Sequence, residues 1–437
     1  MAVHAIDESV ALPDTGERLG GFQLRVIGLC ALIALLDGFD TQSVGFVAPV
    51  MAAEWEVSVA LFGPIFALGL LGGLFGALGC GVAADRMGRR VILLITLAVF
   101  AVGSFLTAFA TTMPQLAAIR FLTSIGLGGA LPSAIALASE YAPARLRRTL
   151  VTLMFCGFPL GAALGALTSA QLIDRFGWES VFIAGGVAPL LVFPVIFFGL
   201  PESIAWLAAN GRQDAAVRLS ARIGVALEVR PARTEPEHRT SPLELFREGR
   251  ALGSLLLGVL FLTSLLLVYL LVSWVPSIAV GSGYTVREGV LAAAIVNFTA
   301  ILGSLLISYA SDRRGIGMIA AAYFAGAAGL AVLIAISAPG EGLFLYCVIA
   351  GFFCTGAQLC VTAIPSTFYP VDIRSTGIGW CMGIGRIGAI LGPLFGSLLV
   401  GGDSAVTLFV IVAGLSAVAG VLIAAIRRME LRLGQSV

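Results

Sequence analysis

The sequence predicts an all-α integral membrane protein with twelve transmembrane helices in two six-helix bundles. Three observations predict it. First, the 437 residues are 59% hydrophobic and 12% charged, with a mean hydropathy of +1.01, a composition that soluble domains of this length do not have. Second, the chain contains twelve apolar stretches, each long enough to cross a bilayer as a helix. Third, charged motifs in the first half recur in the second at a constant separation of 227 residues.

In chain order, residues 1–23 form a polar, acidic tail with no signal-peptide pattern. The first six spans are expected at 24–50, 59–83, 91–110, 114–138, 149–173 and 179–200, giving a first bundle over 24–200. Residues 201–250 are a polar linker with eight arginines. It opens with Pro201-Glu202-Ser203 and contains a run, 212–222, that suits a short amphipathic surface helix. The second six spans are expected at 252–280, 287–310, 316–337, 342–366, 377–400 and 404–426, a second bundle over 251–426, followed by a tail over 427–437.

Arginine placement predicts orientation. With both termini and the linker on the cytoplasmic side, 22 of the 26 arginines are cytoplasmic and only Arg175 and Arg287 lie in the opposite loops. That asymmetry is the positive-inside signature of a multi-pass inner-membrane protein. The remaining two, Arg120 and Arg386, fall inside spans.

The same composition excludes several classes. All cationic side chains are arginine, so the chain has no phosphate-binding P-loop lysine and no lysine for a pyridoxal Schiff base. His4 and His238 lie in polar segments, and the seven cysteines fall in apolar spans without metal-ligand spacing. Gly383-x-Gly385-x-x-Gly388 matches a dinucleotide fingerprint by letter, but sits in an apolar helix with no preceding strand. No cofactor, metal, nucleic-acid partner or enzymatic activity is expected, and nothing in the sequence calls for an oligomer.

The charges inside spans are the functional candidates. Asp37-Gly38-Phe39-Asp40 interrupts an uncharged stretch of span 1, and Asp37 lies about 18 Å in from Arg25. Spacing of i,i+3 puts the two carboxylates on one face. Burying them is costly, which marks a functional site; the alternative is a helix-packing pair neutralised by a basic neighbour. Arg120 lies about 9 Å below the outer end of span 4, and Arg386 about 14 Å above the inner end of span 11. A buried guanidinium needs a counter-ion, and its planar fork suits a carboxylate. One arginine could therefore take a substrate carboxylate while an aspartate takes a proton. Asp40, nearer the outer side, is expected to pair with Arg120, leaving Asp37 as the proton carrier; purely structural ion pairs are the alternative. The remaining polar lining is sparse: Gln42, Tyr269, Asn297 and Gln358. Phe39, Phe155, Phe158, Trp274, Phe352, Phe353 and Trp380 are available for ring stacking.

The repeat is clearest at the loops joining spans 2–3 and 8–9. Asp85, Arg86 and Gly88 fall onto Asp312, Arg313 and Gly315, Arg147 onto Arg374, Gly161 onto Gly388 and Gly165 onto Gly392. Parallel repeats of this kind are a plan of secondary transporters.

These loops resemble the hallmark of the major facilitator superfamily. Within it, Asp37-Gly38-Phe39-Asp40, the stretch from Arg120 to Gly129, Ser139-Glu140-Tyr141, Phe368-Tyr369-Pro370 with Arg374, and the stretch from Gly383 to Gly388 resemble the aromatic acid:proton symporter family, the 4-hydroxybenzoate and benzoate type. The resemblance covers spans 1 to 11. It implies proton-coupled import of an aromatic carboxylate by alternating access. Asp37 and Asp40 would couple protons, and Arg120, Arg386, Asn297, Gln358, Phe39 and Trp274 would bind substrate. Gating would fall to Asp85, Arg86, Gly88, Arg89, Glu140, Asp312, Arg313 and Arg374. Similar motifs dock the loop carboxylate on a helix N-terminus of the other half, here Asp85 on span 11 and Asp312 on span 5, an interaction of about 0.3–2 kcal/mol. Two departures are Ser308, where a glycine is expected, and Ala205, where relatives often carry a basic residue. A proton-driven exporter of amphipathic compounds and a non-transporting receptor on the same fold are the alternatives.

Overall fold

The computed structural model describes residues 19–143, 145–223, 242–247, 250–336, 339–370, 373–399 and 404–432. His4, His238, most of the N-terminal tail and the middle of the linker lie outside the described residues. Among the described residues, twelve helices are long and apolar enough to cross a membrane. They are Gly21–Glu54, Val59–Met87, Arg89–Thr107, Met113–Tyr141, Thr149–Phe176, Glu179–Gly199, Ala251–Gly281, Val286–Arg314, Gly317–Ile336, Gly342–Phe368, Thr376–Ser397 and Ala405–Met429. Each overlaps an expected span; the ends differ by a few residues because helices run past the hydrocarbon into polar loops.

Two spans are interrupted where the sequence removes backbone donors or side chains. Span 5 breaks at Cys156 between Arg147–Phe155 and Gly157–Phe176, four residues after Thr152 and just ahead of Pro159, whose missing N–H leaves the Phe155 carbonyl without its helical partner. Span 10 widens to a π-helical turn over Ala350–Thr355 and resumes at Gly356.

Glycines set the helix crossings, and the crossings repeat. A Cβ on Gly161 of span 5 would collide with the Leu35 carbonyl oxygen of span 1. At the same separation of 227 residues, a Cβ on Gly388 of span 11 would collide with the Leu262 carbonyl oxygen of span 7. Gly76 lies against the Ile125 carbonyl as Gly303 does against that of Phe352. Elsewhere the glycine changes sides. Gly38 faces Phe158, whereas the equivalent Leu265 faces Gly385; Gly157 faces Ala31, whereas the equivalent Ile384 faces Gly258. At each crossing one backbone must come close, and either helix can supply the missing side chain. Pro49 and Pro276, inside spans 1 and 7, keep the same separation.

Contacts divide the chain into two compact units that do not follow the two sequence halves. One comprises Met1–Thr41, Leu71–Gly161 and Phe182–Glu237; the other comprises Gln42–Leu70, Ala162–Val181 and His238–Val437. The first unit is built on Cys30, Ile33, Leu97, Phe100, Leu137 and Tyr141, and its core extends into the linker through Ile204, Trp206, Leu207 and Ala216. The linker run expected to be amphipathic is the helix Gln213–Arg222, with Ala216 and Ser220 buried. It packs on the core of the first unit through Ala215, Ala216 and Leu219, with Arg222 over the Phe22 ring and Arg212 over that of Trp206. In the second unit, Trp274, Val296, Tyr346, Cys354 and Phe409 form one core cluster, and Phe261, Tyr323, Ile364, Phe368 and Ile423 another.

Candidate functional site

The four residues of the span 1 motif point to four different places. Gly38 lets span 5 approach, as above. The Phe39 ring lies against span 6, where a Cβ on Gly185 would meet it at 3.0 Å. Asp37 is buried and accepts a hydrogen bond from the Thr41 hydroxyl at 2.9 Å. Asp40, fully buried, is held by Arg120, which is 4% exposed. Arg120 Nη1 donates to Asp40 Oδ1 at 3.2 Å, Nη2 lies 2.9 Å from Oδ2, and Nη2 also donates to the Asp40 carbonyl oxygen at 3.0 Å. The guanidinium further lies over the Phe182 ring, 5.8 Å from its centroid. The pairing expected between Asp40 and Arg120 is therefore present, and it supplies the counter-ion that a guanidinium buried out of water needs.

Arg386 differs. It is half-buried in span 11, and among the described residues it has no hydrogen-bond or ion-pair partner. Gln358, 7% exposed on span 10 just after the π-turn, likewise has no hydrogen-bond partner among the described residues.

Two other expected ligands are engaged within the protein. Trp274 is fully buried, its indole N–H donating to Pro393 O at 3.0 Å and its ring edge-on to Phe66 at 5.7 Å. Asn297 exchanges hydrogen bonds with Gln42. Neither side chain is open to a ligand in this conformation. Tight helix crossings decide both, and residue type alone does not reveal them.

The loop between spans 2 and 3 is built into a network in the first unit. Gly88 has φ +99°, a conformation glycine adopts without strain, and caps the helix Arg89–Thr107. The carboxylate on that helix N-terminus comes from Glu202: its Oε1 accepts from Arg90 N at 3.0 Å and from Ser203 N at 2.8 Å. Arg89 pairs with Glu140 at 3.1 Å. Glu140 also accepts from the Ala205 amide at 2.6 Å, so at this position the backbone supplies the donor. Tyr141 donates its hydroxyl to Glu202 O at 2.6 Å, and Trp206 donates its indole N–H to Asp85 O at 3.0 Å. Asp85 and Arg86 themselves are exposed. Glu202 and Trp206 were not singled out from the sequence. The available signal was Pro201-Glu202-Ser203, in which Ser203 caps the helix Ile204–Ala209 and accepts from Trp206 N.

The matching loop in the second unit is plainer. Gly315 also has positive φ, +78°. Asp312 and Arg313 are exposed, with Arg313 stacked over Tyr309 at 4.4 Å. Arg374 donates to Tyr369 O at 3.3 Å. Ser308 is exposed, and Gly81, its counterpart, has open space where a side chain would start, so this departure changes no packing contact.

Comparison with known proteins agrees with this architecture. The family described as Major Facilitator Superfamily matches residues 30–350. The chain is 38% identical over 391 residues to the 4-hydroxybenzoate transporter PcaK of Pseudomonas aeruginosa, covering 88% of this chain and 87% of that protein. It is 36% identical to a gallate transporter of Pseudomonas putida, covering 92% and 91%. It is also 36% identical to the 3-(3-hydroxy-phenyl)propionate transporter of Escherichia coli K12, covering 88% and 89%. Among solved structures, the xylose transporter XylE of E. coli in a partially occluded inward-open conformation superposes with a TM-score of 0.71 at 18% identity, covering 93% of this chain and 98% of that one, a likeness of fold. The chain belongs to the Major Facilitator Superfamily, a family of membrane transporters and not of enzymes.

Proposed function

We propose that the protein is a symporter that imports a hydroxybenzoate-like aromatic carboxylate together with protons across the inner membrane, by alternating access, with both termini cytoplasmic. The observation that carries this reading is the division of labour among the intramembrane charges. Asp40 and Arg120 neutralise each other in a buried pair, while Arg386 has no acidic partner among the described residues. An unpaired guanidinium in a span suits a ligand carboxylate, with bidentate geometry available. Protonating Asp40 would strand Arg120, so proton carriage falls to Asp37, the other buried carboxylate of span 1, which accepts a hydrogen bond from the Thr41 hydroxyl. The aromatic part of the substrate rests on the names of the three relatives above, transporters of 4-hydroxybenzoate, gallate and 3-(3-hydroxy-phenyl)propionate. Gln358 and the aromatic side chains of the spans would supply the remaining ligand contacts. Asp85, Arg86, Gly88, Arg89, Glu140, Asp312, Arg313 and Arg374 would govern gating at the cytoplasmic face. The arginine asymmetry supports the orientation. The protein is taken to act as a monomer in lipid, with no cofactor.

The test is uptake of a panel of labelled aromatic acids by cells expressing the protein, with and without a protonophore. Uptake that collapses with the proton gradient and survives ATP depletion at constant gradient is expected. Uptake indifferent to the protonophore would remove proton coupling, and efflux without uptake would favour an exporter.

A further inference from the structure

Gln42 and Asn297 form a reciprocal amide pair. Gln42 Nε2 donates to Asn297 Oδ1 at 3.1 Å, and Asn297 Nδ2 donates back to Gln42 Oε1 at 2.8 Å and to Ala293 O at 2.9 Å. Both side chains are buried. The two residues are 255 apart in the chain, one in each sequence repeat, yet in the same compact unit. The pair is one contact of a longer seam in that unit. One turn beyond Gln42, a Cβ on Gly45 would touch Ser273 O at 3.4 Å; Phe66 meets Trp274 edge-on; and a Cβ on Gly63 would come within 2.6 Å of the Ser397 Cβ. By chain order, this seam joins the ends of spans 1 and 2 to spans 7, 8 and 11 at the membrane face opposite the long linker.

The chemistry of the pair suits a contact that opens and closes. It carries no net charge, so parting it strands no ion, unlike Asp40 and Arg120. It is nonetheless strongly two-sided: a buried amide that loses its partner carries its full desolvation penalty, whereas removing both partners together can be nearly neutral. Gln42 also lies two residues beyond Asp40 and next to Thr41, which holds Asp37. A shift of that turn when Asp37 takes or releases a proton would move Gln42 with it.

We propose that the Gln42–Asn297 amide pair is the clasp that holds the seam shut, broken and remade in each transport cycle, and that Asn297 acts on this conformational equilibrium and does not hold the substrate. The proposal rests on the alternating-access reading above.

The test measures opening directly. Ser277 of span 7, one turn beyond Ser273, is buried. Ser277→Cys, in full-length protein whose reactive native cysteines have been replaced, is labelled with a membrane-impermeant thiol reagent from the side opposite the linker. Gln42→Leu and Asn297→Leu should each raise the labelling rate about fivefold or more, because one stranded amide destabilises the closed seam. The double variant should return toward the parent rate and recover transport, and the exchanged pair Gln42→Asn with Asn297→Gln should stay near it. If the leucine variants do not accumulate in the membrane, Asn297→Ser carries the same expectation. Unchanged labelling in the single variants overturns the clasp. So does a double variant as inactive in transport as Asn297→Leu, which would make Asn297 a ligand. Labelling needs no substrate, so a protein that carries no aromatic acid would defeat the proposed substrate while the labelling rates still decide the clasp.

Discussion

The carboxylate of Glu202 occupies the space where a side chain on Gly88 would begin. A Cβ at Gly88 would collide with Glu202 Oε2, and the same carboxylate accepts from the Arg90 amide on the first turn of span 3. The glycine of the loop motif therefore answers to two demands: a positive φ and room for an acid from the far end of the first six spans.

Gly88→Ala should strain the backbone and displace Glu202, at a cost of about 1–3 kcal/mol. Glu202→Ala should remove the cap and leave the Arg90 amide unsatisfied. Thermal unfolding in detergent should show a lowered midpoint for both, and the double variant should lose less than the sum of the two. Additive losses would mean that the two residues act independently. Asp85→Asn, by contrast, should slow transport without lowering the midpoint, since Asp85 is exposed.

Asp40 and Arg120 should fail singly and tolerate joint removal. Asp40→Asn alone leaves the buried Arg120 guanidinium without its counter-ion, and Arg120→Met alone removes the ion pair of the buried Asp40; breaking a buried pair costs about 3–5 kcal/mol, and membrane yield should fall. Asp40→Leu with Arg120→Met should restore yield, because no buried charge is stranded, and should keep proton-driven accumulation if Asp37 alone carries the proton. Quantifying protein in isolated membranes, then assaying uptake, separates the two effects.

Asp37→Asn should leave yield intact and abolish accumulation, because asparagine keeps the hydrogen bond with Thr41 but carries no proton. Exchange of internal for external substrate requires no net proton movement and should survive. Normal accumulation by this variant would remove Asp37 from proton coupling.

Arg386→Gln should fold normally, because no ion pair of the described residues is lost, and should weaken substrate binding. A rise in KM of tenfold or more is expected from losing a charge-assisted contact of about 1.5–3 kcal/mol, with Arg386→Lys intermediate. Loss of the protein from the membrane instead would mark Arg386 as structural.

The helix crossings make a matched set. Gly161→Val and Gly388→Val should both impair folding, since each places a side chain against a carbonyl oxygen of the facing span. Gly383→Ala, where nothing lies within 4 Å, should be neutral or stabilise by roughly 0.5–1 kcal/mol. Protease resistance of the membrane-embedded protein ranks the three.

The sequence alone carries the twelve spans, because apolar length is a local property that the bilayer reads directly. It also carries the repeat, since Asp85-Arg86 and Asp312-Arg313 recur at one separation, and the set of costly intramembrane charges, Asp37, Asp40, Arg120 and Arg386, because their rarity in spans is visible residue by residue. Which of these groups are engaged depends on how the helices pack. Asp40 meets Arg120 across 80 positions and Gln42 meets Asn297 across 255, and such pairings depend on which helix faces come together, something periodicity cannot rank. Trp274 read as a stacking surface and is a buried packing residue; Glu202 read as linker and caps span 3. A polar or aromatic side chain in a bundle takes its role from its nearest neighbours, and those are supplied by glycine-set crossings between segments far apart in the chain.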